Sequence, residues 1–235
     1  MQGVTFFKDG EPVSSETLLR MEVRRARHMM AMLARKLDGQ AMAKLFADEI
    51  AASAVEQLAW RRENKFAESV VHAHVSDGNA AEFIEWFVTG YLHANTAAMM
   101  RAHPEHLGVL LLPDGRVGVL EVTGHSHGPE LLRGRRLEDW SGVPIPLQPD
   151  MPHRMMLRSE TEDGQVFGYV LHQYRDTQPG FDARLAVYWP SDAPDALVDG
   201  HVDHLMIEFA NWFGMYLQTR KQPADLMPLA LTVNT

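Results

Sequence analysis

The chain has 235 residues, 46% of them hydrophobic and 23% charged, which is enough for one large domain with a sizeable core and argues against wholesale disorder. A formal net charge of −9 argues against a general nucleic-acid binder, because phosphate binding needs a basic face. The absence of cysteine rules out disulfides and thiolate metal sites, and it fits a reducing compartment.

Residues 1–16 lack the cationic-then-apolar layout of a signal peptide, so a cytoplasmic location is expected. Ser14 or Ser15 is placed to cap a first helix. In it Leu19, Val23, Ala26, Met30, Leu33 and Leu37 recur at steps of four and three, a helical seam. Arg20, Arg24, Arg27 and Arg35 lie opposite, either as a solvated face or as a membrane or partner surface. Asp38-Gly39 ends that pattern, and a second helix is expected over residues 40–62, with Leu45, Ile50, Val55 and Leu58 as core candidates. Asp77-Gly78-Asn79 is turn chemistry. It introduces a third helix over residues 80–100 that carries Phe83, Trp86 and Phe87 and stops before Pro104.

From there the texture turns to strand. Residues 108–112 and 116–123 are apolar, β-rich runs joined by Pro113-Asp114-Gly115, a hairpin signal. The aliphatic run over residues 109–112 is far shorter than the roughly 20 residues a membrane span needs, so no membrane partner is expected. Residues 124–152 read as a long loop, and loops of that length are more often functional than idle. Strands follow over residues 154–160, 166–174 and 183–189, then a long helix over residues 199–218. Strands joined by short turns pair antiparallel, and the last helix is the available cover for their apolar face. The expected fold class is therefore α+β. A helical N-terminal part (residues 1–78) precedes an antiparallel helix-grip (Bet v 1/START-like) sheet closed by a long C-terminal helix (residues 79–235), with a cavity between sheet and helix.

Chemistry concentrates in a few places. His204 and Glu208 sit four apart on the last helix and so share a face. They form either a metal-binding pair or a simple helix-face hydrogen bond. His201, one turn earlier, is a third ligand, a supporting partner or a surface residue. His103-Pro104-Glu105-His106 falls where the third helix gives way to the first hairpin strand. Glu121 ends an otherwise apolar strand and must face solvent or be paired, because burying it alone is costly. Together His106, Glu121, His204 and Glu208 would make a set of two histidines and two glutamates, suited to zinc, iron or manganese. His172, after an apolar run, either points into the cavity as a general acid or is a half-buried structural residue. Tyr188-Trp189 supplies an aromatic wall or phenol donor, or simply packs.

Several of these residues occur in an order that resembles a known family. His172-x-Tyr174-Arg175-Asp176-Thr177, Gly180, Arg184, Tyr188-Trp189 and His204-x-x-x-Glu208-Phe209-x-Asn211 are similar to the C-terminal part of the diacetylphloroglucinol and phloretin hydrolases. Trp86 followed by His103-Pro104-x-His106 resembles that family's approach to its first metal ligand. The resemblance spans residues 80–218. It implies a Bet v 1-like domain behind a helical part, and hydrolysis of the carbon–carbon bond of an acylated phenol (an aryl ketone). It also implies zinc held by His106, Glu121, His204 and Glu208, with His172 and Tyr188 facing the substrate's phenolic oxygens. The chain departs from the family in a shorter histidine motif, in Ala98 and Met99 where a tyrosine is expected, and in shorter spacings. Glu138, His125 and His127 are therefore rivals to Glu121. Two other classes compete: a metal-free helix-grip protein that binds a small hydrophobic molecule or cyclises a polyketide by shape, and an interaction protein that homodimerises through its first helix. The fourteen methionines suit a greasy aromatic-binding pocket or an adaptable core.

Overall fold

The structure is a computed structural model that describes residues 5–60, 65–91, 96–123 and 128–221. It opens with a short hairpin, β1 (Phe6–Lys8) and β2 (Glu11–Val13). The hairpin turns through Asp9 and Gly10, both at positive φ (54° and 85°), the geometry that two-residue hairpin loops require. Helix α1 (Ser15–Ala34) follows, and the Ser14 hydroxyl accepts the Thr17 N–H at 3.1 Å as its N-cap. The expected seam on α1 is split. Met30, Ala34 and Leu37 pack against Met42, Met100, Leu107 and their neighbours, whereas Leu19, Val23 and Leu33 are 59%, 45% and 43% exposed.

The single helix expected over residues 40–62 is two. Asp38 caps α2 (Gly39–Leu45) by accepting the Ala41 N–H at 2.8 Å. Phe46 then leaves helical geometry (φ −107°, ψ 26°) before α3 (Ala47–Trp60). The face of α3 is also not the expected one. Leu45, Val55 and Leu58 are exposed, while Ser53 and Gln57, four apart, turn inward to Pro129 O and the Glu130 carboxylate. Ile50, the one expected core residue that packs inward, joins the Met42 cluster, and it sets the rotation of α3 together with these two polar tethers.

Seven strands form the main sheet: β3 (Phe66–Val75), β4 (His106–Leu111), β5 (Val117–Glu121), β6 (Glu130–Arg136), β7 (His153–Glu160), β8 (Val166–Asp176) and β9 (Phe181–Pro190). Their order is β3-β9-β8-β7-β6-β5-β4, with every neighbouring pair antiparallel. Two strands were not expected. β3 lies inside the segment read as purely helical and forms a sheet edge against β9, so the boundary drawn at residue 78 cuts through the sheet. β6 lies inside the segment read as loop. The tight turn between β8 and β9 rests on Gly180, whose φ is +80° and whose absent Cβ would collide with the Val75 backbone.

Three helices, α4 (Ala80–Tyr91), α5 (Thr96–Ala102) and α6 (Asp195–Lys221), pack with the sheet. The core between them is strongly aromatic. Phe83 stands 4.9 Å from Phe213, 5.6 Å from Tyr174 and 5.7 Å from Phe181, centroid to centroid, separations at which aromatic pairs attract beyond their buried area. The buried stripe of α6 runs through Leu197, His201, His204, Leu205, Glu208, Phe209, Trp212, Phe213 and Tyr216. It keeps helical spacing, but three of its members are His or Glu. The protein is thus a mixed α/β molecule with a seven-stranded antiparallel sheet and a long C-terminal helix. No helix among the described residues is long and apolar enough to cross a membrane.

Candidate metal centre and cavity

The β4–β5 hairpin places His106 directly opposite Glu121 at its open end. The tight turn at the other end, where Gly115 takes φ +81°, sets the register as far as Gly108 opposite Leu120, and a bulge between His106 and Gly108 shifts it by one residue to bring His106 opposite Glu121. Helix α6 brings His204 and Glu208 to the same place. His106 Nε2 lies 3.0 Å from His204 Nε2, 3.2 Å from a Glu121 oxygen and 3.9 Å from a Glu208 oxygen. His204 Nε2 lies 3.9 Å from the same Glu121 oxygen. The four side chains named as a candidate set therefore converge, although they come from distant parts of the chain.

The proton positions are constrained by what surrounds the rings. His106 Nδ1 is 3.1 Å from the Met99 carbonyl oxygen, and His204 Nδ1 is 3.2 Å from a Glu105 carboxylate oxygen. Both acceptors require an N–H at Nδ1, so both Nε2 atoms present lone pairs, and they face each other. Two lone pairs at 3.0 Å repel unless a positive charge sits with them. Two buried carboxylates add to the demand. Glu121 and Glu208 are 6% and 8% exposed, and among the described residues neither has a Lys or Arg partner. Burial alone would raise the Glu121 carboxyl, but once the imidazole pair takes up a proton, the His106 hydrogen bond and the charges of His204 and His106 outweigh it and hold it at about 2. Burial lowers the His204 imidazole, but Glu105, Glu121 and Glu208 outweigh that and raise it. One shared proton would satisfy the two imidazoles. A divalent cation would satisfy them and both carboxylates together, and two nitrogens with two carboxylate oxygens are a donor set such an ion accepts.

The residues around the four support them. The Trp212 indole N–H donates to a Glu208 oxygen at 3.0 Å. Glu105 orients His204, the arrangement in which a carboxylate fixes a ligand imidazole. The sequence shows Glu105 inside the His103–His106 motif and Trp212 one turn after Glu208, but spacing alone assigns neither a role. His103 stacks on His204 at 3.9 Å. It is pushed down to about 2 by burial and by the neighbouring imidazoles of His204 and His106. His106, Glu121 and His204 lie within metal-ligand distance of one another, with Glu208 beside them at 3.9 Å from His106, and Glu105, His103 and His204 form a second such group that shares His204.

A cavity of about 350 Å³ opens beside this cluster. Its walls include Phe87, Val170, Val187, Trp189 and Leu205, and Glu121, His172, His201 and Glu208 line it as well. Arg136, Glu138 and Arg154 also border it. His172 points into it, as one of its expected placements required. The Ala186 N–H donates to His172 Nδ1 at 3.3 Å, which leaves the ring proton on Nε2. Burial lowers His172 to about 3, so the ring is a neutral hydrogen-bond donor at neutral pH and not an imidazolium acid. Tyr188 does not line the cavity. Along β9, Val187 and Trp189 face it, and the period of two turns Tyr188 to the other side. There Tyr188 packs with Tyr169 and Leu171 and accepts an Arg184 N–H at 3.1 Å. Of the rivals to Glu121, Glu138 borders the cavity without joining the ligand cluster, and His125 and His127 lie outside the described residues.

No protein-family model and no curated protein matches the chain. The solved structures it matches include that of an uncharacterised protein from Rhizobium leguminosarum, at 12% identity and a TM-score of 0.38, covering 66% of this chain and 96% of that one.

Proposed function

We propose that the protein is a metal-dependent hydrolase with a helix-grip (Bet v 1-like) body. It would cleave the bond between an acyl carbon and an aromatic ring carbon, as in the diacetylphloroglucinol and phloretin hydrolases that its sequence resembles. The observation that carries the reading is the pair of facing Nε2 atoms at 3.0 Å, flanked by two buried carboxylates and opening on an apolar cavity. A divalent cation, zinc by the resemblance, held by His106, Glu121, His204 and Glu208 supplies Lewis acidity toward an acyl carbonyl and toward water. Met99 O and Glu105 hold the two imidazoles with Nε2 inward, and Trp212 holds Glu208. Phe87, Val187 and Trp189 shield the acyl-aryl bond from bulk water. His172 donates its Nε2–H to a phenolic oxygen and stabilises charge that builds there as the ring carbon departs. In the net reaction the hydroxyl of water ends on the acyl carbon and its proton on the ring carbon.

The test is elemental analysis of the purified, untagged protein beside a Glu208→Gln variant, followed by a screen of acylphloroglucinols for release of the free acid. Near-stoichiometric zinc in the parent, little in the variant, and acid release by the parent alone are expected. No metal in the parent after zinc has been offered would overturn the reading in favour of a metal-free ligand-binding protein. Full zinc in the variant would remove Glu208 from the ligand set.

A further inference from the structure

The roles proposed above leave one buried cavity histidine unused. His201 stands on α6 one turn before His204, is 4% exposed, and lines the cavity. Its ring lies parallel to that of His204 (4.8 Å between centroids, 12° between planes) with Trp189 edge-on at 5.0 Å. Its Nδ1 is 3.4 Å from the Thr123 carbonyl oxygen. A carbonyl only accepts, so Nδ1 carries the proton and Nε2 is bare. That carbonyl is well anchored: Thr123 is fully buried, its hydroxyl donates to Glu130, and Glu130 accepts from Gln57 at 2.6 Å. No side chain among the described residues donates to His201 Nε2. His172, also on the cavity wall, has the opposite polarity, with Nδ1 accepting and the proton on Nε2.

We infer that His201 is a specificity-determining residue whose Nε2 accepts a hydrogen bond from a hydroxyl on an aromatic ligand, so that the cavity prefers a free phenol to its ether. The two histidines then divide the work. His172 donates to any ligand oxygen and does not tell a hydroxyl from a methoxy group, whereas His201 needs a donor and does. The inference rests on the cavity being the ligand site, as the proposed function does, but it requires no metal.

The test uses metal-free protein in EDTA and two probes that share one ring system, 1-naphthol and 1-methoxynaphthalene, with binding read from quenching of tryptophan fluorescence. The parent should bind 1-naphthol about 5- to 10-fold more tightly, the ratio that one net hydrogen bond supplies. His201→Phe keeps a ring but no acceptor, and it should bring the ratio to about one while leaving 1-methoxynaphthalene affinity unchanged, which also shows that the fold is intact. His201→Gln restores an acceptor and should recover part of the preference. Equal binding of both probes by the parent, a ratio that survives His201→Phe, or no binding of either probe would each overturn the inference. None of these outcomes bears on zinc content, so failure here and failure of the hydrolase reading are separable.

Discussion

His172 makes a prediction that can be worked through from its surroundings. Burial moves the imidazole from 6.5 to about 3. A histidine depressed on folding contributes stability that is present above its unfolded pKa and is lost as pH falls toward the folded one, because between the two the unfolded chain binds a proton that the native protein does not. Across that window His172 should add a slope of about 1.4 kcal/mol per pH unit. From pH 7 to pH 5 the loss due to this residue alone comes to about 2 kcal/mol. His172→Asn keeps an oxygen for the Ala186 N–H and removes the titration. Urea denaturation of the metal-free parent and variant at pH 7, 6 and 5 should give curves that converge as pH falls, with the variant losing about 2 kcal/mol less over the range. Parallel losses in the two proteins would mean that His172 titrates alike folded and unfolded, and the description of it as a buried neutral donor would fall.

Glu105→Gln removes the charge from the group that orients His204, and zinc affinity should weaken about 10- to 100-fold in competition with a chelating indicator; unchanged affinity would mean that Glu105 plays no part in holding His204. Tyr188→Phe removes the hydroxyl's bonds to Arg184 and Glu68 on the side of β9 away from the cavity, so thermal melts should fall by a few degrees, as expected for about 1 kcal/mol, while ligand binding and any turnover stay at parental values; a loss of turnover would place Tyr188 back at the substrate.

The parts of the molecule legible in the sequence are those where a local rule decides. Turn chemistry gave the β4–β5 hairpin, and helical spacing brought His204 and Glu208 to one face. His106 and Glu121 could be grouped with them as candidates by residue type, but spacing alone could not bring them together, because what unites them is the meeting of a hairpin end with a helix a hundred residues away. The strands that escaped notice carry charge on their exposed positions. β6 (Glu130–Arg136) reads as a polar loop because Glu130 is buried on Gln57 and Thr123 rather than being apolar. β3 alternates Glu68, His72 and His74 with smaller residues. On α3 the inward face runs through Ile50, Ser53 and Gln57, so hydrophobic periodicity finds Ile50 but wrongly adds Val55 and Leu58, because hydrogen bonds help to fix that face. Tyr188 was misplaced by a single step of the strand repeat, which sends adjacent side chains to opposite faces.

The path of α6 says something about the curvature of the sheet. At one edge Ser69 of β3 donates to the Val198 carbonyl at 2.6 Å, and at the other His106 of β4 meets His204 at 3.0 Å. Six steps between neighbouring strands would set these edges about 29 Å apart in a flat sheet, yet Val198 and His204 are separated by only about 9 Å of helix rise. The sheet therefore curls around α6 until both of its rims bear on the helix, which acts as a spindle whose length between these residues sets how far the rims can part. One residue inserted between Val198 and His204 would turn everything beyond it by about 100°, so that either the β3 rim keeps its hold and the histidines separate, or the histidines stay together and the far rim springs open.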